Sequence, residues 1–128
     1  MRILLDTHIF IWWDSDPDKL SSTAKVHCES EDNTLVLSVA SVWEMQIKQQ
    51  LGKLTLRQPL AELIADQQKT NGFEILPITL SHVLALDQLP LHHKDPFDRL
   101  LIAQAKNEDM SLLTADDVMK QYEVELLD

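Results

Sequence analysis

Four acidic residues in this chain fall at predicted junctions between a strand and a helix, although they lie far apart in the sequence. They are Asp6, Glu44, Asp98 and Asp116. In a parallel sheet such junctions share one edge of the domain, so we expect the four side chains to meet there. Carboxylates repel one another, and a cluster of them is stable only when cations offset the charge.

A carboxylate cluster of this kind favours one type of chemistry. Carboxylate oxygens are the ligands that Mg²⁺ and Mn²⁺ prefer, and Mg²⁺ usually keeps several waters. A metal-bound water is more acidic than free water and can attack a phosphodiester, while a second metal or a nearby acid steadies the leaving oxygen. The layout therefore predicts phosphodiester hydrolysis.

Three of the four acids also have a simpler interpretation as helix caps. Glu44 completes a capping box that begins at Ser41, and Asp98 stands three residues after the predicted cap Asp95. Asp116 could cap a helix near residue 117. Asp6 is harder to explain in this way, because an unpaired carboxylate directly after a buried strand is costly.

Strand-like and helix-like segments alternate along the chain. The predicted strands cover residues 3–5, 35–39, 74–78, 111–114 and 124–127. The predicted helices cover residues 22–31, 42–54, 60–69, 80–89 and 96–108. Pro77 places the third strand near an edge of the sheet. The alternation predicts an α/β three-layer sandwich, with a central parallel sheet of four to five short strands flanked by helices.

Composition limits the classes of protein that the chain can belong to. Its 128 residues are expected to form a single domain over 1–128, and 45% of them are hydrophobic, which is enough for a packed core. Two glycines exclude a glycine-rich phosphate loop, and a single cysteine, Cys28, excludes an internal disulfide and a multi-thiolate zinc site. We see no signal peptide or membrane span and expect a cytoplasmic protein.

The net charge is −10, which argues against binding nucleic acid through a basic surface. It does not argue against an enzyme that acts on nucleic acid, because bound divalent cations reverse the local field. The excess acid is equally explained as a means of keeping the protein soluble.

Four segments resemble the motifs of PIN-domain proteins, in the same order and spacing and over nearly the whole chain. They are Leu4-Leu5-Asp6-Thr7-His8, Ser41-Val42-Trp43-Glu44, the stretch from Asp95 to Ala105, and Leu113-Thr114-Ala115-Asp116. The resemblance is strongest to the VapC-type toxins of bacterial toxin–antitoxin pairs. It implies a PIN-like fold and an endoribonuclease that depends on Mg²⁺, with Mn²⁺ as a substitute.

The resemblance also assigns roles to residues and partners. It places the catalytic metal ligands on the same four acids, with Asp6 and Asp98 the firmest. Thr114 and Asp95 are expected to support these ligands without binding the ion. The implied partners are an RNA substrate, a small antitoxin that covers the active-site groove, and a second copy of the chain in a homodimer.

Other residues near the motifs are open to two interpretations. Lys48, Lys53 and Arg99, and with them Arg57 and Lys94, could guide an RNA backbone, although Lys48 is also explained by an i,i+4 pair with Glu44. His8 is expected at the surface or in packing. The pair His92–His93 lacks the spacing of a zinc motif. Trp12, Trp13 and Trp43 are expected to pack in the core rather than stack on bases.

Three other functions are alternatives to the nuclease. A haloacid-dehalogenase-type phosphatase needs a second Asp two residues after the first, where this chain has His8. A two-component receiver needs an Asp after a middle strand, and the third predicted strand ends at Thr79 without one. The remaining alternative is a catalytically silent PIN-like binding module, in which the acids serve only as helix caps.

Overall fold

The computed structural model describes residues 1–91, 95–117, 119 and 126–127. The described strands are β1 (Arg2–Leu5), β2 (Thr34–Ser38), β3 (Glu74–Leu76), β4 (Ser111–Leu113) and β5 (Leu126–Leu127). The described helices are α1 (Thr7–Ser15), α2 (Ser22–Glu29), α3 (Val39–Gln50), α4 (Leu60–Asn71), α5 (Leu80–Ala85) and α6 (Pro96–Asn107). Short 3₁₀ turns follow α1 at Pro17–Lys19 and α5 at Leu86–Gln88.

The described strands form one parallel sheet in the order β3-β2-β1-β4-β5. β1 lies at the centre, where Leu4 pairs with Val36 on one side and with Leu112 on the other. β3 lies at an edge, as Pro77 predicted. Of the predicted fifth strand, residues 126–127 are confirmed, and residues 124–125 lie outside the described part of the chain.

Both faces of the sheet are buried, which confirms the predicted three-layer α/β sandwich. Alternate residues of β1 point to opposite faces. Ile3 and Leu5 pack with α1, α2, α4 and Met45 of α3, whereas Leu4 packs with the start of α3 and with α6. α6 is buried over most of its length, in agreement with its apolar sequence.

One helix is additional to those predicted, and another begins earlier than the sequence indicated. The apolar stretch 9–13, which was given no element, belongs to α1, whose N-cap is Asp6. The capping box at Ser41 is wrong. Ser38 caps α3 by accepting a hydrogen bond from the Ala40 backbone N–H at 3.0 Å, because β2 runs into the helix without a loop. Glu44 therefore lies in the second turn of α3, not the first.

Other predicted helix ends agree with the structure or differ by a few residues. Asp95 caps α6 by accepting from the backbone N–H groups of Phe97 and Asp98, with Pro96 at the first helical position. Gly72 ends α4 in the left-handed conformation, at φ 65°. The predicted helix over 80–89 is divided into α5 and a 3₁₀ turn. In the described residues, no helix is long and apolar enough to span a membrane.

Candidate active site

Asp6 lies at the carboxyl end of the central strand, and both of its carboxylate oxygens are hydrogen bonded. Oδ1 accepts from the His8 backbone N–H at 3.0 Å, which caps α1. Oδ2 accepts from the Thr114 hydroxyl at 2.6 Å, directly after β4. The residue is 4% exposed. Neighbouring strands thus hold this carboxylate in one orientation below the surface.

Burial raises the pKa of the Asp6 carboxyl above its ordinary value. Desolvation is the largest cause, because a charged carboxylate loses water when it is buried. The hydrogen bonds from Thr114 and His8 act in the opposite direction, and the negative charge of Glu44 raises the pKa further. The charge of Glu44 therefore adds to the cost of charging Asp6.

Glu44 projects from the second turn of α3 and is also 4% exposed. Its Oε1 accepts from the Thr7 hydroxyl at 2.8 Å, and its Oε2 forms an ion pair with Lys48 Nζ at 2.8 Å. Thr7 Oγ1 also lies 2.9 Å from Ser41 Oγ. Thr7 directly follows Asp6. The same short segment therefore carries one buried acid, Asp6, and donates a hydrogen bond to the other, Glu44.

Thr7 and Ser41 were missed as site residues from the sequence. Thr7 directly follows Asp6, and Ser41 lies one helical turn before Glu44. A hydroxyl at either position can reach a carboxylate, and this spacing was the signal that could have identified both residues. Ser41 was instead assigned to a cap that Ser38 makes.

Asp116 lies beside Asp6 at the same edge of the sheet. Its backbone N–H donates to the Thr114 hydroxyl oxygen at 3.0 Å, so the one hydroxyl links the Asp116 backbone to the Asp6 carboxylate. Asp6, Asp116, His8 and Trp12 line an open cavity of about 320 Å³. Thr114 orients the Asp6 carboxylate, and its role as the support of a metal ligand stays a prediction.

Asp95 and Asp98 lie at the start of α6, as its N-cap and in its first turn. Phe97 packs edge-to-face on Trp43, with ring centroids 5.2 Å apart, which places the first turn of α6 against α3. Asp95 and Glu44 line a groove of about 430 Å³ at this contact. Asp98 lies in the same first turn and is partly buried.

The number of protein ligands at the site limits the kind of metal ion that it fits. Within the described ranges, no three His, Cys, Asp or Glu side chains are placed to enclose a metal by themselves. Mg²⁺ is commonly held by only one or two carboxylates together with waters and substrate phosphates. Asp6, which lines one open cavity, and Glu44, which lines another, supply that number of buried carboxylates. They do not fit a closed zinc site, which takes four protein ligands.

The predicted RNA-contacting cations divide into different environments. Lys53 is exposed and lines the same groove as Glu44. Lys48 is engaged by Glu44, as its i,i+4 spacing predicted. The Arg99 guanidinium donates to the carbonyl oxygens of Leu86 and Leu89 at 3.3 Å, and it lines a separate depression beside α5. Arg57 forms a two-point ion pair with Asp14.

Aromatic and histidine side chains near the site only partly match expectation. Trp12 and Trp13 are half-buried against the core. Trp43 is 55% exposed on the outer face of α3, so the expectation of core packing is wrong for it. The His8 side chain is 61% exposed at the rim of the Asp6 cavity. His92, His93 and Lys94 lie outside the described residues.

Comparison with known proteins identifies the fold independently. The chain is 28% identical to Ribonuclease VapC22 of Mycobacterium tuberculosis over 121 residues, which are 94% of this chain and 91% of that protein. The structure of VapBC2 from Rickettsia felis, bound to a promoter DNA fragment, matches with a TM-score of 0.75 at 16% identity, covering 99% of this chain and 98% of that one.

A second solved structure, VapBC-1 from nontypeable Haemophilus influenzae, matches with a TM-score of 0.65 at 19% identity, covering 100% of this chain and 98% of that one. At these identities the structural matches establish the fold alone. The sequence model described as PIN domain matches residues 3–125. The resemblance seen in the four motifs is thereby confirmed, and the chain belongs to the PIN domain family.

Proposed function

We propose that this protein is a Mg²⁺-dependent endoribonuclease and the toxin of a toxin–antitoxin pair. The observation that carries the proposal is the pair of buried carboxylates, Asp6 and Glu44, which come from different junctions and are held by hydroxyl groups at one edge of the sheet. The naming of its relative VapC22 as a ribonuclease supports the activity. The VapBC complexes among its structural neighbours support an antitoxin partner.

In this proposal the four acids hold the cation, and the surrounding residues hold the acids. Asp6 and Glu44 would bind Mg²⁺ directly, with Mn²⁺ as a substitute, and Asp98 and Asp116 would hold waters of its coordination shell. When bound, the ion supplies an acidified water as nucleophile and offsets charge on the phosphodiester. Thr114 fixes the orientation of the Asp6 carboxylate through its short hydrogen bond.

In this proposal the cationic side chains around the site have different roles. Lys48 holds Glu44 through its ion pair, so we assign it to that carboxylate rather than to RNA. Lys53 is the groove cation that we assign to the RNA backbone. The contacts of Arg99 with carbonyl oxygens near α5 favour a role in holding α6, not in binding substrate.

The binding-module alternative explains some of the acids but not all. Asp6 and Asp95 are helix caps, as that alternative requires. Glu44 is not, because it lies inside α3, is almost fully buried and is close enough to Asp6 to raise the pKa of that carboxyl. Keeping two repelling carboxylates buried costs stability, and a cap function gives no reason for it.

The decisive experiment is cleavage of a mixed RNA pool by the purified protein in Mg²⁺, in Mn²⁺ and in chelator. The test variant is the double substitution Asp6→Asn, Asp98→Asn. The matched control is Glu31→Gln, Asp32→Asn, which makes the same change in net charge at the turn before β2, where both side chains are exposed. We expect metal-dependent cleavage by the parent and the control, and none by the folded test variant.

The other outcomes each have a definite meaning. Equal cleavage by the test variant would point to a contaminating nuclease and would refute this site. If the parent cleaves no RNA and neither metal raises its melting temperature, the binding module is the better description, because a ligand of the folded state must stabilise it by mass action. The proposed homodimer and antitoxin complex are tested by light scattering of the protein alone and after co-expression with the neighbouring gene product.

A further inference from the structure

A chain of buried polar side chains crosses the domain behind the candidate site. Ser38, Gln104 and His82 are each 0% exposed and come from the end of β2, from α6 and from α5. The Ser38 hydroxyl donates to Gln104 Oε1 at 2.5 Å. Gln104 Nε2 lies 3.2 Å from His82 Nδ1, and His82 Nε2 lies 3.1 Å from Glu108 Oε2.

The hydrogen bonds in this chain have only one consistent direction. Gln104 Nε2 also lies 3.3 Å from the Pro77 carbonyl oxygen, which can only accept, so the amide is oriented with Oε1 toward Ser38. His82 Nδ1 accepts from the Thr79 backbone N–H at 3.1 Å, which places the ring proton on Nε2, facing Glu108. A series of buried side chains in which every hydrogen bond has a fixed direction favours one arrangement of the helices that carry them.

The link between Ser38 and Gln104 joins the two helices that carry most of the candidate site. Ser38 is the N-cap of α3, which carries Glu44, and Gln104 lies on α6, which carries Asp95 and Asp98. The surrounding core is apolar, and apolar contacts are not directional. A short buried hydrogen bond is directional, and sliding α6 along α3 would leave the Ser38 O–H donor and the Gln104 Oε1 acceptor without each other.

We propose that Ser38 and Gln104 are positioning residues, whose hydrogen bond fixes the register of α3 against α6 and thereby the placement of Glu44 relative to the first turn of α6. The proposal rests on the proposed nuclease function. Neither residue contacts the acids, so their effect on activity is indirect. His82 and Glu108 extend the same restraint to α5.

The test compares Ser38→Ala, Gln104→Met and the double variant with the parent. Ser21→Ala is the matched control, because the Ser21 hydroxyl caps α2 by accepting from the Ala24 N–H at 3.0 Å, just as Ser38 caps α3. Both changes remove a serine cap, but only one removes the link to α6. Gln104→Met keeps a similar side-chain volume.

Three measurements are made on each protein: urea unfolding in chelator, Mn²⁺ affinity by electron paramagnetic resonance, and kcat and KM on a short RNA. We expect Ser38→Ala and Gln104→Met to lower Mn²⁺ affinity or kcat by about tenfold, the lower end of the range for groups that contact metal ligands directly, because their effect is indirect. The Mn²⁺ affinity and kcat of the double variant should lie within about twofold of those of the more impaired single variant. The reason is that the two substitutions remove the same Ser38–Gln104 hydrogen bond. Ser21→Ala should keep the parent's Mn²⁺ affinity and kcat.

The outcomes separate this proposal from the proposed function. If both link variants lose stability but keep Mn²⁺ affinity and kcat, the link only stabilises the fold and the proposal is overturned. If the parent binds Mn²⁺ without cleaving RNA, the affinity measurement alone decides the question. If the parent does neither, the proposed function fails and this proposal with it. Should Gln104→Met not unfold cooperatively, Ser38→Ala, which adds no bulk, carries the test.

Discussion

Replacing Thr114 with valine removes the hydroxyl that donates to Asp6 Oδ2 at 2.6 Å, while the side chain keeps its shape. Thr114 is 0% exposed, so water cannot take the place of the hydroxyl. A hydrogen bond to a charged group contributes about 1.5–3 kcal/mol, and we expect the free energy of unfolding at pH 7 in chelator to fall by that amount. For a domain of this size, the melting temperature should fall by roughly 5–12 °C.

The effect of Thr114→Val should depend on pH in a defined direction. The hydrogen bond lowers the pKa of the Asp6 carboxyl, so its contribution is greatest when the carboxylate is charged. Burial nevertheless leaves that pKa above its ordinary value of 3.8, so protonation in the folded protein begins at a higher pH than in the unfolded chain. The deficit of the variant should therefore shrink as the pH falls from 7 toward 4.

The assay is urea unfolding at a series of pH values, with Ser111→Ala as the control. Ser111 lies on β4, three residues before Thr114, and is 4% exposed, but the contact of its hydroxyl is a 3.6 Å approach to the Met1 sulfur. We expect this control to lose under about 1 kcal/mol at every pH. A Thr114→Val deficit that is equal at pH 7 and pH 4.5, or no larger than that of the control, would refute the reasoning.

Three further predictions concern single residues. Metal-free Asp6→Asn should be more stable than the parent at neutral pH, because it removes a desolvated charge; urea unfolding in chelator should show the gain vanish toward pH 4. Gly72→Ala should lower the unfolding free energy by about 1 kcal/mol, measured the same way, since φ is 65° there. Lys53→Ala should reduce the slope of log affinity for single-stranded RNA against log salt by about 0.7; an unchanged slope removes it from the interface.

The sequence was most informative where a residue's role depends on its immediate neighbours. Asp95 before Pro96 predicted the start of α6, and Pro77 predicted an edge strand, because both effects act through the local backbone. The position of Asp6 after an apolar strand predicted a buried carboxylate, and it is one. These features need no knowledge of the rest of the chain.

Prediction from the sequence failed where two residues were about equally suited to one role. It also failed where packing between distant segments determined the burial or the contacts of a side chain. Ser38 and Ser41 are both plausible caps, and the end of β2 selected Ser38. Trp43 was assigned to the core because it is large and apolar, but α3 buries its other faces. The hydrogen bond between Thr7 and Glu44 joins residues 37 apart in sequence, a contact that no local pattern predicts.

The central place of β1 in the sheet has a consequence for how the protein is made. β2 follows β1 closely in the sequence and can pair with it early, but the other neighbour of β1, the strand β4, is synthesised much later. The hydrogen bond from Thr114 to Asp6 spans 108 residues. Chains grow at about 5–20 residues per second, so Asp6 waits several seconds for that partner. A nascent chain that has not yet passed β4 therefore lacks both the second neighbour of its central strand and the hydroxyl that orients the Asp6 carboxylate.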